Sequence, residues 1–279
     1  MEDEMSNNTP CAIPGDEGIF ATRRTDWWWV QPLLVALGLG AAVIYMTLAA
    51  FQGTNYYYDG NGANYLSPLY SPEFYGTHEP IFGIEKPTFW PDQLPPFSPA
   101  FLILWAPAGF RLTCYYYRGT YYKAFWADPP NCAVGELRES YLGERSFPLI
   151  IQNVHRYFLY LALVFIMILA YDAWKGLWFP DPVTGITSFG IGVGSLVLIL
   201  NVTLLGGYTF GCHSLRHLVG GRVDKLSHMN RLRQSTYDCV SCLNQRHMLW
   251  AWMSLVWVGF TDFYIRMCAM GAWTDFRLL

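Results

Sequence analysis

Four stretches of this chain are each long and apolar enough to cross a lipid bilayer, and no other feature of the sequence restricts the fold so strongly. They occupy residues 27–51, 148–174, 185–210 and 247–270. A spanning helix needs about 20 mostly apolar residues. Inside the hydrocarbon no water can satisfy backbone N–H and C=O groups, so such stretches become helices. A fifth apolar stretch, 97–110 ("FSPAFLILWAPAGF"), is shorter and interrupted by Pro99 and Pro107. It is either re-entrant or a span completed by the aromatic residues after it. The expected fold class is therefore all-α, a polytopic membrane helix bundle of about five transmembrane helices.

Charge agrees with that reading. Only 14% of residues are charged, against roughly a quarter in soluble domains. The net charge of -3 provides no basic footprint for nucleic acid. Residues 1–26 are polar and acidic at the start and lack the basic and apolar regions of a signal peptide. They read as a cytoplasmic N-terminal segment, followed by a membrane domain over 27–279. Aromatic clusters at Trp27–Trp29, Trp174–Phe179 and Cys114–Tyr117 mark interfaces.

The basic residues decide the topology. With five crossings, one side receives Arg23, Arg24, the basic residues from Arg111 to Arg156 and those from Arg216 to Arg246. The other side receives Lys86, Lys175 and Arg277, while Arg266 falls inside the last span. By the positive-inside rule the first side is cytoplasmic. This predicts a multi-pass protein of the inner (plasma) membrane with a cytoplasmic N-terminus. Residues 52–96 then form an irregular external cap, and residues 111–147 and 218–246 form inner loops.

Ionisable groups at membrane depth are costly and point to function. His155 and Arg156 lie one or two turns inside the third apolar span in chain order, at its cytoplasmic end. His213 and His217 are four apart and share a helix face, with Arg216 between them. His247 opens the last span. All four histidines lie at one end of the bundle. Singly, each is more simply a helix-end or interfacial residue; their gathering at one depth favours a site.

The chain has seven cysteines. Cys239 and Cys242 form "CVSC", a spacing that lets two thiolates share a metal. Beside His213 and His217 they complete a set of two sulfur and two nitrogen donors, suited to a tetrahedral zinc or a Rieske-type [2Fe–2S] cluster. Cys114 and Cys132 are a competing sulfur pair, and Cys212 and His247 are spare ligands. Taken singly, each cysteine is a small buried hydrophobe.

At these residues the chain resembles a family. "HSLRHL" resembles the Gly-x-Arg-His-Leu/Met motif of the membrane-anchor subunit of succinate dehydrogenase and fumarate reductase (complex II). "NVHRY" resembles that family's Ser-x-x-His-Arg motif, with Gln152 in place of Ser and Ser214 in place of the Gly of the first motif. The longer pattern "CYYYRGTYYKAFW…NCAVGE…FPLIIQNVHRYFLYLAL" resembles an actinobacterial-type, heme-lacking branch, and the match runs from about residue 114 to the C-terminus. In heme-carrying relatives a histidine ligand stands seven residues before the His of the Arg-His pair. Here that position is Phe210, which cannot ligate iron, so heme b is not expected. "GFTDFYIR" resembles an Asp-Tyr quinone motif of the partner anchor, but the topology puts Asp262 toward the outer side, so that role is not carried over.

The resemblance implies a membrane-anchor subunit that docks a flavoprotein and an iron–sulfur subunit on its basic inner face. It implies a Rieske-type cluster and a quinone (menaquinone or ubiquinone) bound near His155, Arg156 and Arg216. The chain carries no catalytic dehydrogenase residues of its own and no GxGxxG fingerprint. The competing classes are a membrane transporter, against which the absence of an evident repeat speaks, and a zinc-dependent membrane enzyme, which would need the glutamate that "HSLRH" lacks.

Overall fold

Helix α1, Val30–Gln52, is 23 residues long, or ~35 Å at 1.5 Å per residue, enough to cross a bilayer. The computed structural model describes residues 27, 29–74, 78, 98–125, 146, 149–181, 184–221 and 229–279. Among these, three further helices are long and apolar enough to span: α5 (His155–Lys175), α6 (Val193–Phe210) and α9 (His247–Ala269). Only 17% of the apolar window of α1 is buried, against 50% for α6. Thus α6 is the central helix, packed on α5 and α9, and α1 lies at the edge against α9 and α4 (Tyr115–Phe125). The outward leucines and valines of α1, such as Leu34 and Val43, are exposed. A lipid solvent makes that exposure inexpensive, because lipid tails are as apolar as the side chains.

The stretch at 97–110 becomes two short helices, α2 (Ala100–Ile103) and α3 (Trp105–Leu112). Ala100 packs with Ala49 and Ala50 from the end of α1. Cys114, just after α3, packs with Cys212, Tyr208 and Ala251 at the opposite end. The segment therefore runs between the two ends of the bundle, beside the four described helices that are long and apolar enough to span by themselves. Gly109 permits the tight packing of α3 on α5: a Cβ there would lie 2.3 Å from the Phe158 ring.

One end of the bundle is capped by strands. α1 stops at Gly53, whose φ is +61°, a left-handed cap suited to glycine. Strands β1 (Tyr57–Gly60) and β2 (Ala63–Leu66) pair antiparallel. They are joined by Asn61 and Gly62, both with positive φ, the Asn-Gly chemistry of a tight hairpin turn. The described part of the cap read as irregular thus contains a regular hairpin. A second hairpin, β3 (Trp178–Pro180) with β4 (Thr187–Phe189), joins α5 to α6. Asp275 fastens this end, accepting from Tyr65, Tyr264 and the Gly194 amide.

At the other end, the read loop 218–246 is largely helix. α7 (His213–Gly220) is followed by α8 (Arg231–Gln245). The side chain of Asn230 accepts from the Arg233 amide at 2.8 Å and caps α8, satisfying one of the donors that a helix start leaves open. Sequence pattern alone did not show this helix because its apolar residues are few; Val240 is its one buried position.

Candidate functional site

Helix starts and breaks concentrate chemistry at the end opposite the strand cap. α3 ends at Leu112, and Thr113 and Cys114 form the break before α4. His155 is the first residue of α5, and His247 is the first of α9. Cys212 is the extended residue between α6 and α7. That break needs Gly211, where an added Cβ would lie 2.8 Å from the Gly207 carbonyl oxygen.

These four residues meet as two pairs. His155 Nε2 lies 3.1 Å from Cys212 Sγ, and Cys114 Sγ lies 3.5 Å from His247 Nε2. Cys114, Cys212 and His155 are buried, and both thiols are free. The pairs are adjacent: the two cysteines share one packed cluster, and the two imidazoles are near enough to act on each other's charge. Burial pushes the Cys212 thiol up to about 11, with the nearby Cys114 adding to the rise. A metal would have to displace that proton on binding, since thiolate is the ligand form.

The surroundings hold the rings in place. Thr113 donates to the Gly109 carbonyl at 2.7 Å, so its oxygen is left to accept from His155 Nδ1, 2.9 Å away. This assigns the proton to Nδ1 and turns the Nε2 lone pair toward Cys212. Such an orienting bond is usual behind a metal-binding histidine. The His155 ring stacks on Phe110 at 4.7 Å, and His247 stacks on Tyr208 at 5.0 Å. His247 Nδ1 is buried with no hydrogen-bond partner. Two free thiols, two imidazoles and an unsatisfied ring nitrogen thus gather at this end as two Cys–His pairs, although among the described residues no three such side chains close on one metal-sized point.

The predicted ligands fall differently. His213 and His217 do share a face, with Nε2 atoms 2.9 Å apart. Among the described residues, however, no third His, Cys, Asp or Glu side chain joins them in a metal-sized group. Partial burial, then the nearby His217 and Arg216, lower the pKa of His213 below the usual imidazole value. Cys239 and Cys242 lie exposed on α8, so the "CVSC" spacing sits on a helix surface and not in a loop folded back to the histidines. Cys132 lies outside the described residues. Arg216 donates to Ser241 at 3.1 Å and lies over the Tyr237 ring, tying α7 to α8. Arg156 is exposed on α5 beside the buried His155. Phe210 is likewise exposed.

Cys212 and His247 entered the sequence reading only as spare ligands, and His155 only as a quinone neighbour. The available signal was position: each of the four residues stands near the start or just beyond the end of an apolar segment, at the same end of the bundle. At the cap end, Asp262 is fully buried, bonded to Tyr45, Ser67 and Arg266. It is a structural clamp far from this cluster, as the topology required.

Comparison with known proteins agrees with the architecture. The family model described as actinobacterial succinate dehydrogenase subunit SdhC matches residues 30–271. Among solved structures, a chain of the Mycobacterium smegmatis Sdh1 complex in the apo form superposes with a TM-score of 0.80 at 42% sequence identity. The match covers 95% of this chain and 97% of that one. Among curated proteins none matches. A bundle of this topology, matched by one family model over nearly its whole length, places the chain in the actinobacterial SdhC family, the membrane-anchor subunits of succinate dehydrogenase.

Proposed function

We propose that Cys114, His155, Cys212 and His247 hold a Rieske-type [2Fe–2S] cluster, through which electrons from succinate oxidation reach membrane quinone. The observation that carries this reading is the meeting of two buried thiols with two buried-end imidazoles at one end of the bundle. Two Cys and two His are the ligand complement of a Rieske centre. When bound, such a cluster supplies one-electron transfer inside the membrane.

The residues of this chain supply the rest. Cys114 and Cys212 give up their protons to become thiolates. Thr113 keeps His155 in the tautomer whose Nε2 is free. Phe110 and Tyr208 cover the imidazole faces and exclude water. Arg156, exposed next to His155, is placed to donate hydrogen bonds to a quinone carbonyl at the bundle surface. The Cys–His end would face the cytoplasm, because Arg111, Arg118, Arg156, Arg216, Arg231 and Arg233 lie on its helices and Arg246 between α8 and α9. That basic end, with α8 across it, would dock the iron–sulfur subunit, which in turn carries the flavoprotein.

Electron paramagnetic resonance of the intact, mildly solubilised complex tests the assignment. A signal of low average g value is expected. Cys114→Ser, Cys212→Ser, His155→Ala and His247→Ala should each abolish it. Cys239→Ser, Cys242→Ser, His213→Ala and His217→Ala should leave it intact. The reverse pattern would return the site to the His213–His217 pair.

A further inference from the structure

The strand-capped end of the bundle holds a pocket that the electron path does not use. Its volume is about 230 Å³, room for several waters or one small polar headgroup. The first hairpin contributes Tyr57 and Leu66, and the last turn of α5 contributes Tyr171, Asp172 and Lys175. Glu73 completes the charged lining. Its side chain is 2% exposed and held in place: it accepts from the Tyr56 hydroxyl at 2.9 Å and lies 3.5 Å from His78 Nδ1. The His78 ring in turn stacks on Tyr57 at 4.1 Å. Asp172 accepts from the Ser71 hydroxyl, and the Lys175 ammonium stands 6.0 Å from the centroid of the Tyr171 ring.

This lining selects a kind of ligand. Two carboxyl groups favour a cation and one lysine favours an anion, so a ligand carrying both charges suits the pocket better than either alone. A bare divalent cation would be repelled by Lys175, and among the described residues no three His, Cys, Asp or Glu side chains form a metal-sized group. Free phosphate would meet the two carboxyl groups. A primary ammonium offers three N–H donors to them; a quaternary ammonium offers none. The pocket also continues into an apolar surface. Tyr160, Val164, Met167 and Tyr171 are spaced four, three and four apart, which places them on one face of α5, and all four are exposed. That row is ~16 Å long at 1.5 Å per residue, about the depth of one leaflet of a roughly 30 Å hydrocarbon core.

We propose that this pocket holds the headgroup of an aminophospholipid from the leaflet at the cap end. The primary amine donates to Glu73 and Asp172, the phosphate pairs with Lys175, and an acyl chain lies along the row from Tyr171 to Tyr160. The bound lipid bridges the hairpin and α5, and so fastens the cap to the bundle. The site stands apart from the cluster reading and does not depend on it.

The test is lipid titration of the intact complex after delipidation in detergent, read by thermal unfolding and by native mass spectrometry of retained lipid. Phosphatidylethanolamine should be retained and should raise the unfolding temperature. Phosphatidylcholine with the same acyl chains should need a concentration at least about tenfold higher, because it lacks the N–H donors. O-Phosphoethanolamine, the headgroup without chains, should also be at least about tenfold weaker than the lipid. Asp172→Asn and Lys175→Gln should each weaken the phosphatidylethanolamine response about tenfold and leave the phosphatidylcholine response unchanged; if Asp172→Asn fails to assemble, Lys175→Gln decides. Equal responses to the two lipids, a stronger response to phosphatidylglycerol, or wild-type retention by both variants would overturn the site. A chain-free headgroup as effective as the lipid would overturn the lipid as its occupant.

Discussion

Asp262 and Arg266 are the most demanding residues in the molecule. Both stand one turn apart in a membrane helix, and their side chains are 0% and 5% exposed. The pair is tolerated because every group is used. Asp262 accepts from Arg266 at 2.7 Å, from Tyr45 at 2.7 Å and from Ser67. Arg266 also donates to Gln52, to the Thr54 carbonyl and to the Ala49 carbonyl. These bonds tie α9 to the end of α1 and to the cap. Removing one partner leaves a buried charge uncompensated, at a cost of about 3–5 kcal/mol. Asp262→Asn should therefore lower the thermal unfolding temperature of the solubilised complex strongly. It should leave the resonance signal of the proposed cluster unchanged in the surviving folded fraction, because this clamp lies at the end opposite Cys114 and Cys212. An unchanged unfolding temperature would mean that the pair is not the clamp described.

At the scale of elements, the α6–α9 seam controls the site. A Cβ on Gly207 would lie 2.5 Å from the Trp250 ring, whereas one on Gly206 would meet only Phe210 at 3.5 Å. Gly207→Leu should force α6 and α9 apart, cost about 1–3 kcal/mol and reduce occupancy of the proposed cluster, since Cys212 and His247 lie just beyond that contact. Gly206→Ala should be tolerated in both stability and occupancy assays. Helix α7 carries its own titration. The pKa of His213 is lowered from 6.5 in the folded chain, so the unfolded segment binds a proton first as the pH falls. The stability of α7 is complete above pH 6.5 and declines below it. Hydrogen exchange of α7 amides, corrected for intrinsic rates, should quicken between pH 7.5 and pH 5.5, and His213→Gln should remove that difference.

For the whole molecule, the separation of two ends matters most. One end is tied down by hairpins, Asp275 and the Asp262–Arg266 clamp; the other is built from helix starts, breaks and arginines. Family membership makes the chain part of a succinate dehydrogenase, so its assays separate cleanly. Arg156→Ala should lower quinone-dependent turnover about ten- to a hundredfold, from the loss of one hydrogen bond involving a charged group. Succinate oxidation with a soluble acceptor should remain intact. Equal losses in both assays would mean that Arg156 holds the subunits together instead of serving the quinone.

The sequence by itself determined the solvent and the element type. Long apolar stretches admit only helices in a bilayer, and the basic residues on one side required an odd number of passages, including the proline-broken one at 97–110. It also placed His155, His213, His217 and His247 at one end, because each stands near the start or just beyond the end of an apolar stretch on the same side of the bundle. Which of these groups meet was decided by tertiary structure alone. Nearness along the chain favoured Cys239 and Cys242 as partners of His213 and His217, yet α8 is a helix that leaves both thiols on its outside. Cys114 and His155, 41 positions apart, belong to one site because α3 packs on α5 through Gly109, and Cys212 and His247 join them because α6 packs on α9 through Gly207. Those approaches depend on the fit of one helix surface to another, which no periodicity within a single helix records.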